Sequence, residues 1–345
     1  MALGVEGVRV GTWTAPERIS GCTVILPPAG TVGACAVRGA APGTREAAAL
    51  GPQGKVEVCH GVVLSGGSAF GLATADGVMR WLEQRGVGYP VATARVPIVG
   101  AAIILDASVA DPAGRPDAIA GRAACVAAGL DDPAEGSVGV GAGCTVAKVA
   151  GREHGWRGGQ GLAVVEAAGV TVGVLVANNA VGEVMADDGT WIARARVPAE
   201  APRFPTHGRT LHLQEAHGGE VAHREVTDQR APGGGPGEQA HGDPPGDGSG
   251  GPTANTAIGC VVTNAQLTKL QAHRVADLAH SGLARALRPV HTEADGDAMF
   301  CLATGRVPAT PDLVSHLAVE AVAIATRRGP QAAVGGGGLP GLADG

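Results

Sequence analysis

The stretch 252-PTANTAIGCVVTNA-265 places a threonine at the head of an apolar segment. Residues 257–265 carry small and β-branched side chains, which predict a buried strand. Directly before it lies 233-GGGPGEQAHGDPPGDGSGG-251, which has no large apolar side chain whose burial would offset the entropy of ordering. We therefore expect a flexible Gly/Pro-rich linker over residues 228–251, and a strand that starts abruptly at Thr256.

The composition is that of a chain with a large core and a modest negative charge. Of the 345 residues, 45% are apolar but only 2% are aromatic, so Val, Ala, Leu and Ile must fill the core. The formal net charge is −6, without a basic run or a nucleic-acid motif, which argues against a nucleic-acid partner. No apolar run is long enough to span a membrane. Seven cysteines without a CxxC pair and the lack of a secretory signal lead us to expect a cytoplasmic protein.

Short apolar runs between turn residues predict strands, and longer amphipathic runs predict helices. The strands are expected near residues 22–27, 34–39, 56–64, 96–105, 138–149, 162–168, 170–178, 257–265 and 298–305. The helices are expected over residues 68–86, 117–129, 265–287 and 310–329, with Ser68, Asn264 and Thr310 as N-caps and with Gly86 and Gly329 at the ends. Many strands, a few long helices and no regular βαβ alternation predict an α+β fold in which sheet packs on sheet with helices outside.

The Gly/Pro-rich break leaves two domain organisations open. Such a linker can join two ordinary domains. However, the segment after it contains few strands for an independent domain, and these look like parts of the preceding sheets. We favour a single domain over residues 1–345, in which the break lies next to a backbone bond that is meant to be cut.

Thr256 is the first candidate for chemistry. Inside a chain a threonine is a weak nucleophile, but at a chain end it carries its own α-amine, whose reference pKa is about 7.7–8.0. That amine can accept the hydroxyl proton at neutral pH. Cleavage of the Asn255–Thr256 bond would create this end. From the spacing alone the case is only suggestive, because a threonine that opens a strand is commonly just a β-former.

Four other polar residues lie beside apolar segments. Asp295 and Asp297 are separated by one glycine just ahead of a predicted strand, and paired carboxylates can orient a nucleophile or shift each other's pKa. Asn179 ends a predicted strand, where a side-chain amide can stabilise an oxyanion. Lys148 is a lone cation in a Gly-rich apolar segment. Taken singly, each fits an Asp-Gly turn, an Asn turn or an edge lysine at least as well.

Glycine and histidine patterns add one candidate and exclude others. Gly66, Gly67 and Ser68 form a predicted turn into a helix, whose N–H groups would suit an anion or an oxyanion. The run of glycines at 139, 141 and 143 lacks the spacing of a dinucleotide-binding loop. The histidines show no ligand spacing, so we expect neither a metal nor a cofactor.

At these residues the chain resembles the L-aminopeptidase/D-esterase-amidase family of self-processing peptidases, which includes the β-aminopeptidases and the 6-aminohexanoate-oligomer (nylon-oligomer) endohydrolase. The resemblance covers about residues 5–225 and 252–330. It is carried by the segments 22-CTVILPPAGTVGACAVRGAAPGTRE, 61-GVVLSGGSAFGLATADGVMRWLEQRGVG, 177-ANNAVGEV and 255-NTAIGCVVTNAQLTKLQAHRVADLAHSGLARALRPVHTEADGDAMFCLATG.

The resemblance implies a four-layer αββα sandwich, like that of N-terminal-nucleophile hydrolases but with different connectivity. It also implies self-cleavage between Asn255 and Thr256 into an α subunit, residues 1–255, and a β subunit, residues 256–345. Thr256 matches the nucleophile of the family. Among relatives, the nylon-oligomer hydrolase has two Asp at the positions of Asp295 and Asp297, as this chain does.

Further site positions of the nylon-oligomer hydrolase fall on Lys148 and Asn179. A tyrosine of that enzyme matches Leu105, so this chain departs there in its substrate pocket. The implied activity is hydrolysis of amide or ester bonds in short peptides or amino-acid amides, in a homo-oligomer for which the family suggests tetramers of αβ units. A nylon-oligomer-type endo-amidase, a self-cleaving acyltransferase resembling ornithine acetyltransferase and a non-enzymatic binding protein remain alternatives.

Overall fold

The computed structural model describes residues 1–107, 112–198, 200–201 and 255–345. The linker expected over residues 228–251 therefore lies outside the described residues. In chain order the described strands are β1 (Arg9–Thr14), β2 (Gly21–Leu26), β3 (Val32–Val37), β4 (Thr44–Arg45), β5 (Gly61–Ser65), β6 (Tyr89–Val91), β7 (Ala94–Val96), β8 (Val99–Ile103), β9 (Thr145–Val146), β10 (Trp156–Arg157), β11 (Gly159–Ala167), β12 (Val170–Asn179), β13 (Glu183–Met185), β14 (Trp191–Ala193), β15 (Thr256–Gln266), β16 (Leu287–Arg288) and β17 (Ala298–Pro308). The described α-helices are α1 (Thr74–Glu83), α2 (Ala118–Ala127), α3 (Lys269–Ala286) and α4 (Pro311–Gln331).

Two five-stranded sheets organise the described residues. The first has the order β1-β2-β5-β8-β4, and the second has the order β11-β12-β15-β17-β3. Most neighbouring strands are antiparallel, but β5 pairs with β8 and β15 pairs with β17 in parallel. This mixture of sheets and helices confirms the predicted α+β class.

Side-chain alternation along the strands places the buried residues of the described chain in three large hydrophobic cores, beside a small fourth cluster. On β2, Val24 packs with α1 and α2, whereas its neighbour Ile25 points to the second sheet. On β15, Ile258 and Cys260 lie in the core between the two sheets, whereas Val261 packs with α3 and α4. Successive strand residues face opposite sides, so neighbouring residues of β2, and likewise of β15, lie in different cores.

Residues on both sides of the Asn255–Thr256 bond build the second sheet. The strands β15 and β17, which follow the bond, lie between β12 and β3, which precede it. The segments before and after this bond therefore share one continuous set of backbone hydrogen bonds.

No helix in the described ranges combines the length and the apolar character that a membrane crossing needs.

The helix predictions hold in outline but shift at their ends. Thr310 caps α4 through its side chain as expected, yet the helix runs past Gly329 to Gln331. Helix α3 begins after Thr268, which forms a capping box with Gln271. Asn264, the expected cap, lies in β15 instead, because the strand continues two residues beyond it.

Two expectations for strands and turns are wrong. The strand expected over residues 138–149 is a 3₁₀ helix (Gly139–Gly143) followed by the two-residue β9. A Cβ at Gly139 or Gly141 would overlap neighbouring atoms, so these glycines permit close packing rather than extension. Ser68 is not an N-cap but the first residue of the 3₁₀ helix Ser68–Ala73 that leads into α1. The strand β1, centred on Gly11, was not expected.

Candidate active site

Thr256 is the first residue of β15 and is buried. In the antiparallel register it lies opposite Asn179, the last residue of β12. Its hydroxyl contacts the carbonyl oxygen of Asn255, the residue before it. That same carbonyl oxygen accepts a hydrogen bond from the Gly296 N–H group at 3.2 Å. The carbonyl that self-cleavage would attack is thus close to a hydroxyl and already bonded to an N–H donor.

Asp297 connects the start of β15 to the loop before β17. Its Oδ1 accepts the Ala257 N–H at 2.6 Å, which fixes the backbone one residue after Thr256. Its Oδ2 lies 2.7 Å from His291 Nδ1 and also accepts the His291 N–H at 3.2 Å. The carboxylate is buried, so these partners replace the hydration that it loses.

Asp295 lies on the other side of Gly296. Its Oδ2 accepts the Thr292 N–H at 2.6 Å, and its buried Oδ1 has no hydrogen-bond partner among the described residues. Burial raises the pKa of this carboxyl group, and the charge of the neighbouring Asp297 raises it further. Asp295 is therefore easier to protonate than an ordinary aspartate and is suited to exchange or share a proton.

The loop that carries both aspartates is held tightly by the segment after β3. The Arg38 N–H donates to the Asp297 carbonyl at 2.9 Å, and the Ala41 N–H donates to the Asp295 carbonyl at 2.9 Å. Between the aspartates, a Cβ at Gly296 would lie 2.6 Å from the Ala41 carbonyl oxygen and 3.1 Å from the Thr256 hydroxyl oxygen. A glycine is thus needed where the loop approaches the hydroxyl most closely.

Lys148 follows β9 and is buried, with only 3% of its surface exposed. Its Nζ donates to the Asn179 carbonyl oxygen at 3.0 Å and lies 3.2 Å from the Asn179 side-chain oxygen. Burial lowers the pKa of the ammonium to about 7, and the charge of Arg152 lowers it as well, whereas Asp295 acts in the opposite direction. Near neutral pH this lysine can therefore both donate and accept a proton.

The Asn179 side chain is fixed by three elements. Its Oδ1 accepts the Thr145 N–H at 2.9 Å and lies 3.1 Å from the Thr145 hydroxyl. Its Nδ2 donates to the Leu105 carbonyl oxygen at 3.0 Å. This pattern assigns the amide orientation, with the oxygen towards Lys148 and Thr145. Leu105 thus reaches the site through its backbone, and its side chain is half-buried.

The turn of Gly66, Gly67 and Ser68 does not offer the amide groups that its sequence suggested. The Gly66 N–H donates to the Gly21 carbonyl, and the Ser68 N–H donates to the Ile104 carbonyl. The Gly67 N–H donates to Asp106 Oδ1 at 3.2 Å. All three donors are engaged within the protein, so the geometry does not support them as oxyanion donors.

The structure therefore brings together five of the predicted residues, namely Thr256, Asn179, Lys148, Asp295 and Asp297, around the Asn255–Thr256 bond. It adds His291, Gly296 and Thr145, which the sequence did not single out. Like the other histidines, His291 lacks the spacing of a metal ligand. Its position in the same short loop, six residues before Asp297, was the signal that could have identified it.

The comparisons with known proteins identify the family. A sequence profile of peptidase family S58 matches residues 3–334. The chain belongs to peptidase family S58. An aminopeptidase of Mycobacterium tuberculosis, described as uncharacterized, is 42% identical over 320 residues, which cover 89% of this chain and 82% of that protein. The 6-aminohexanoate-oligomer endohydrolase of an Agromyces species is 29% identical over 327 residues, which cover 92% and 79%.

Solved structures of other proteins share the fold. The L-aminopeptidase D-Ala-esterase/amidase of Ochrobactrum anthropi, described as a variant of the N-terminal-nucleophile-hydrolase fold, superposes with a TM-score of 0.66 at 20% identity, covering 96% of this chain and 86% of that one. A β-aminopeptidase of a Burkholderia species gives a TM-score of 0.65 at 21% identity, covering 99% and 90%. The resemblance read from the sequence is confirmed, and this S58 member is a hydrolase of the peptidase and aminopeptidase type with an N-terminal-nucleophile-like α+β fold.

Proposed function

We propose that the chain cuts its own Asn255–Thr256 bond and then uses Thr256 as the N-terminal nucleophile of an aminopeptidase or amidase. The observation that carries this proposal is the contact between the Thr256 hydroxyl and the Asn255 carbonyl oxygen, which also accepts the Gly296 N–H at 3.2 Å. A nucleophile and an N–H donor thus meet at one buried carbonyl.

Self-cleavage begins when Thr256 Oγ attacks the carbonyl carbon of Asn255. The Gly296 N–H stabilises the developing oxyanion. The hydroxyl proton passes to the local base, for which we assign Lys148 because its pKa of about 7 leaves much of it neutral. The C–N bond breaks, the nitrogen takes up a proton, and an ester remains between Asn255 and Thr256. Water hydrolyses this ester to the Asn255 carboxylate and a free Thr256.

In the mature enzyme the new α-amine of Thr256 accepts the proton of its own hydroxyl. Thr256 Oγ then attacks a substrate amide or ester, the amine or alcohol leaves, and water releases the acyl group. Asn179 supplies a side-chain N–H for the oxyanion, and Asp295 and Asp297 orient the α-ammonium group. No oxyanion role is assigned to the Gly66–Ser68 turn.

The proposed substrates are short peptides or amino-acid amides with a free amino group, which buried carboxyl groups such as Asp295 would attract. The similarity to the 6-aminohexanoate-oligomer endohydrolase makes an endo-acting amidase the second candidate. A self-cleaving acyltransferase is the third, and it differs only in whether water or an amine takes the acyl group. We also propose that the three cores form the four-layer αββα sandwich of the family, in a cytoplasmic homo-oligomer.

The first test is the intact mass of the purified protein, with N-terminal sequencing of each chain. The expected result is two chains, one of which begins TAIGCVV. Thr256→Ala should remain a single 34.0 kDa chain, whereas Thr256→Ser should still be cut. Thr253→Ala is the matched control and should be cut as the wild type is. A contaminating protease acting on this stretch would instead cut the Thr253→Ala and Thr256→Ala variants alike. An uncut wild-type chain that is active would contradict the proposal.

Product analysis separates the candidate activities. With an amino-acid amide as substrate, hydrolysis should release the free acid whether or not an amine acceptor such as hydroxylamine or ornithine is present. A product that forms only with the added amine would favour the acyltransferase. Release of internal fragments from a 6-aminohexanoate oligomer, without sequential loss of end units, would favour the endo-amidase.

A further inference from the structure

A cavity of about 610 Å³ lies far from Thr256, at the other end of the first sheet. Its wall includes His60, directly before β5, and the residues just after α1. Because β5 and β8 run in parallel, both strands begin at this cavity. Leu105, which follows the opposite end of β8, is the residue that contacts Asn179. The cavity is therefore separate from the candidate active site.

The charged side chains in the cavity wall are all positive. They belong to Arg9, Arg85 and Arg95, and the wall contains no Asp or Glu. This contrasts with the net charge of −6 of the whole chain. Arg95 makes no ion pair with another described residue, and Arg85 stacks on the Trp81 ring at 3.7 Å rather than on a carboxylate. The cavity wall itself is therefore positively charged, although Asp76 and Glu83 line a neighbouring pocket together with Arg95.

The polar part of the wall also includes the rings of His60 and Tyr89. The Trp81 ring lies in the wall as well, but its Nε1 is buried, without a hydrogen-bond acceptor among the described residues. His60 Nδ1 accepts the Ile98 N–H at 3.0 Å, so the neutral ring carries its proton on Nε2. Burial lowers the pKa of His60, which favours this neutral form. A ligand that supplies acceptor atoms is what such a set of donors can satisfy.

The remaining wall is apolar, and the cavity is large enough for a small molecule. Leu26, Pro28 and Leu82 contribute to it, and the volume falls within the range of about 300–1,000 Å³ that is typical of small-molecule sites. From the all-positive charges, the donor groups and the apolar wall together, we propose that this cavity binds a small carboxylate with an apolar tail, such as a medium-chain fatty acid. The proposal is independent of the function proposed for Thr256.

Isothermal titration calorimetry with decanoate, below its micelle-forming concentration, tests this site on the purified full chain. Decanoate should bind saturably with one site per chain, and 1-decanol should bind at least about tenfold more weakly because it lacks the charge. Arg85→Gln combined with Arg95→Gln should weaken decanoate binding by at least about tenfold. Ala29→Trp should fill the cavity and abolish binding. Arg80→Gln, on α1 but outside this wall, is the matched control and should bind as the wild type does.

Three results would overturn the proposal. Equal affinity for decanoate and 1-decanol would show that the arginines do not select the anion. Unchanged binding in Ala29→Trp would place the ligand elsewhere, and the absence of saturable binding would remove the site. Thermal unfolding of each variant shows whether it is folded. The self-cleavage state should match the wild type throughout, because none of these residues lies near Thr256.

Discussion

Half-buried His291 pairs with buried Asp297, with Nδ1 2.7 Å from Oδ2, while the other carboxylate oxygen of Asp297 accepts the Ala257 N–H. His291 also adopts a left-handed backbone conformation with φ of 56°. Such a conformation is uncommon for a residue other than glycine. The loop thus bends so that the ring and the N–H group of one histidine both reach the carboxylate that fixes the start of β15.

Loss of the His291 ring should slow catalysis without removing the nucleophile. His291→Ala is expected to lower kcat by about ten- to hundredfold, the cost of one hydrogen bond to a charged group, with a smaller change in KM. His291→Asn should recover part of the loss, because Asn tolerates positive φ and can donate from its side chain. Steady-state kinetics on an amino-acid amide measures both. Equal loss of kcat in both variants, with normal unfolding, would contradict a positioning role for the ring.

Self-cleavage should depend on pH through Lys148. The neutral amine is the proton acceptor, so the rate should rise with pH and level off above about pH 7, where the pKa of this lysine lies. Lys148→Arg should not cleave at any pH near neutrality, because a guanidinium stays protonated. The check is the fraction of cut chain against time after refolding from denaturant at a series of pH values. A pH-independent rate in the wild type would exclude this role of Lys148.

The same lysine should make stability depend on pH in uncleaved protein. Its folded-state pKa lies below its unfolded value, so the unfolded chain binds more protons between about pH 7 and pH 10.5. The free energy of unfolding therefore gains a contribution that increases with pH across this window. Urea unfolding of Thr256→Ala at pH 7 and pH 9 should show this increase, and Lys148→Met in the same background should show less of it. Equal slopes in the two proteins would indicate that Lys148 is not titrating there.

The sequence predicted which residues come together at the candidate site better than it predicted the local backbone geometry. Thr256, Asp295, Asp297, Asn179 and Lys148 were found from residue type beside apolar runs and from the family resemblance. The strand predicted over residues 138–149 is wrong where the chain forms the 3₁₀ helix Gly139–Gly143. The glycines there allow close contacts with distant parts of the chain, and hydrophobic periodicity does not reveal such contacts. The sequence also could not show that the N–H groups of the Gly66–Ser68 turn already donate hydrogen bonds, because their acceptors, Gly21, Asp106 and Ile104, lie elsewhere in the chain.

Gly296 should be sensitive to the addition of a single methyl group. A Cβ there would lie 3.1 Å from the Thr256 hydroxyl oxygen and 2.6 Å from the Ala41 carbonyl oxygen. Gly296→Ala should therefore displace the N–H donor from the Asn255 carbonyl and slow self-cleavage by about tenfold or more. Gly336→Ala is the matched control, since a Cβ there meets nothing within 4 Å. Self-cleavage is followed on denaturing gels. Cleavage of both variants at the wild-type rate would show that the space around Gly296 does not limit self-cleavage.

The two products of cleavage should stay together under native conditions. The strands β15 and β17 of the C-terminal product lie between β12 and β3 of the N-terminal product, so separation would break the hydrogen bonds along both edges of this strand pair. It would also expose buried apolar side chains, each at a cost of about 1.5–3 kcal/mol. Size-exclusion chromatography with mass analysis should find both chains in one peak in buffer and in separate peaks only in denaturant. Native release of a folded fragment 256–345 would instead support two independent domains.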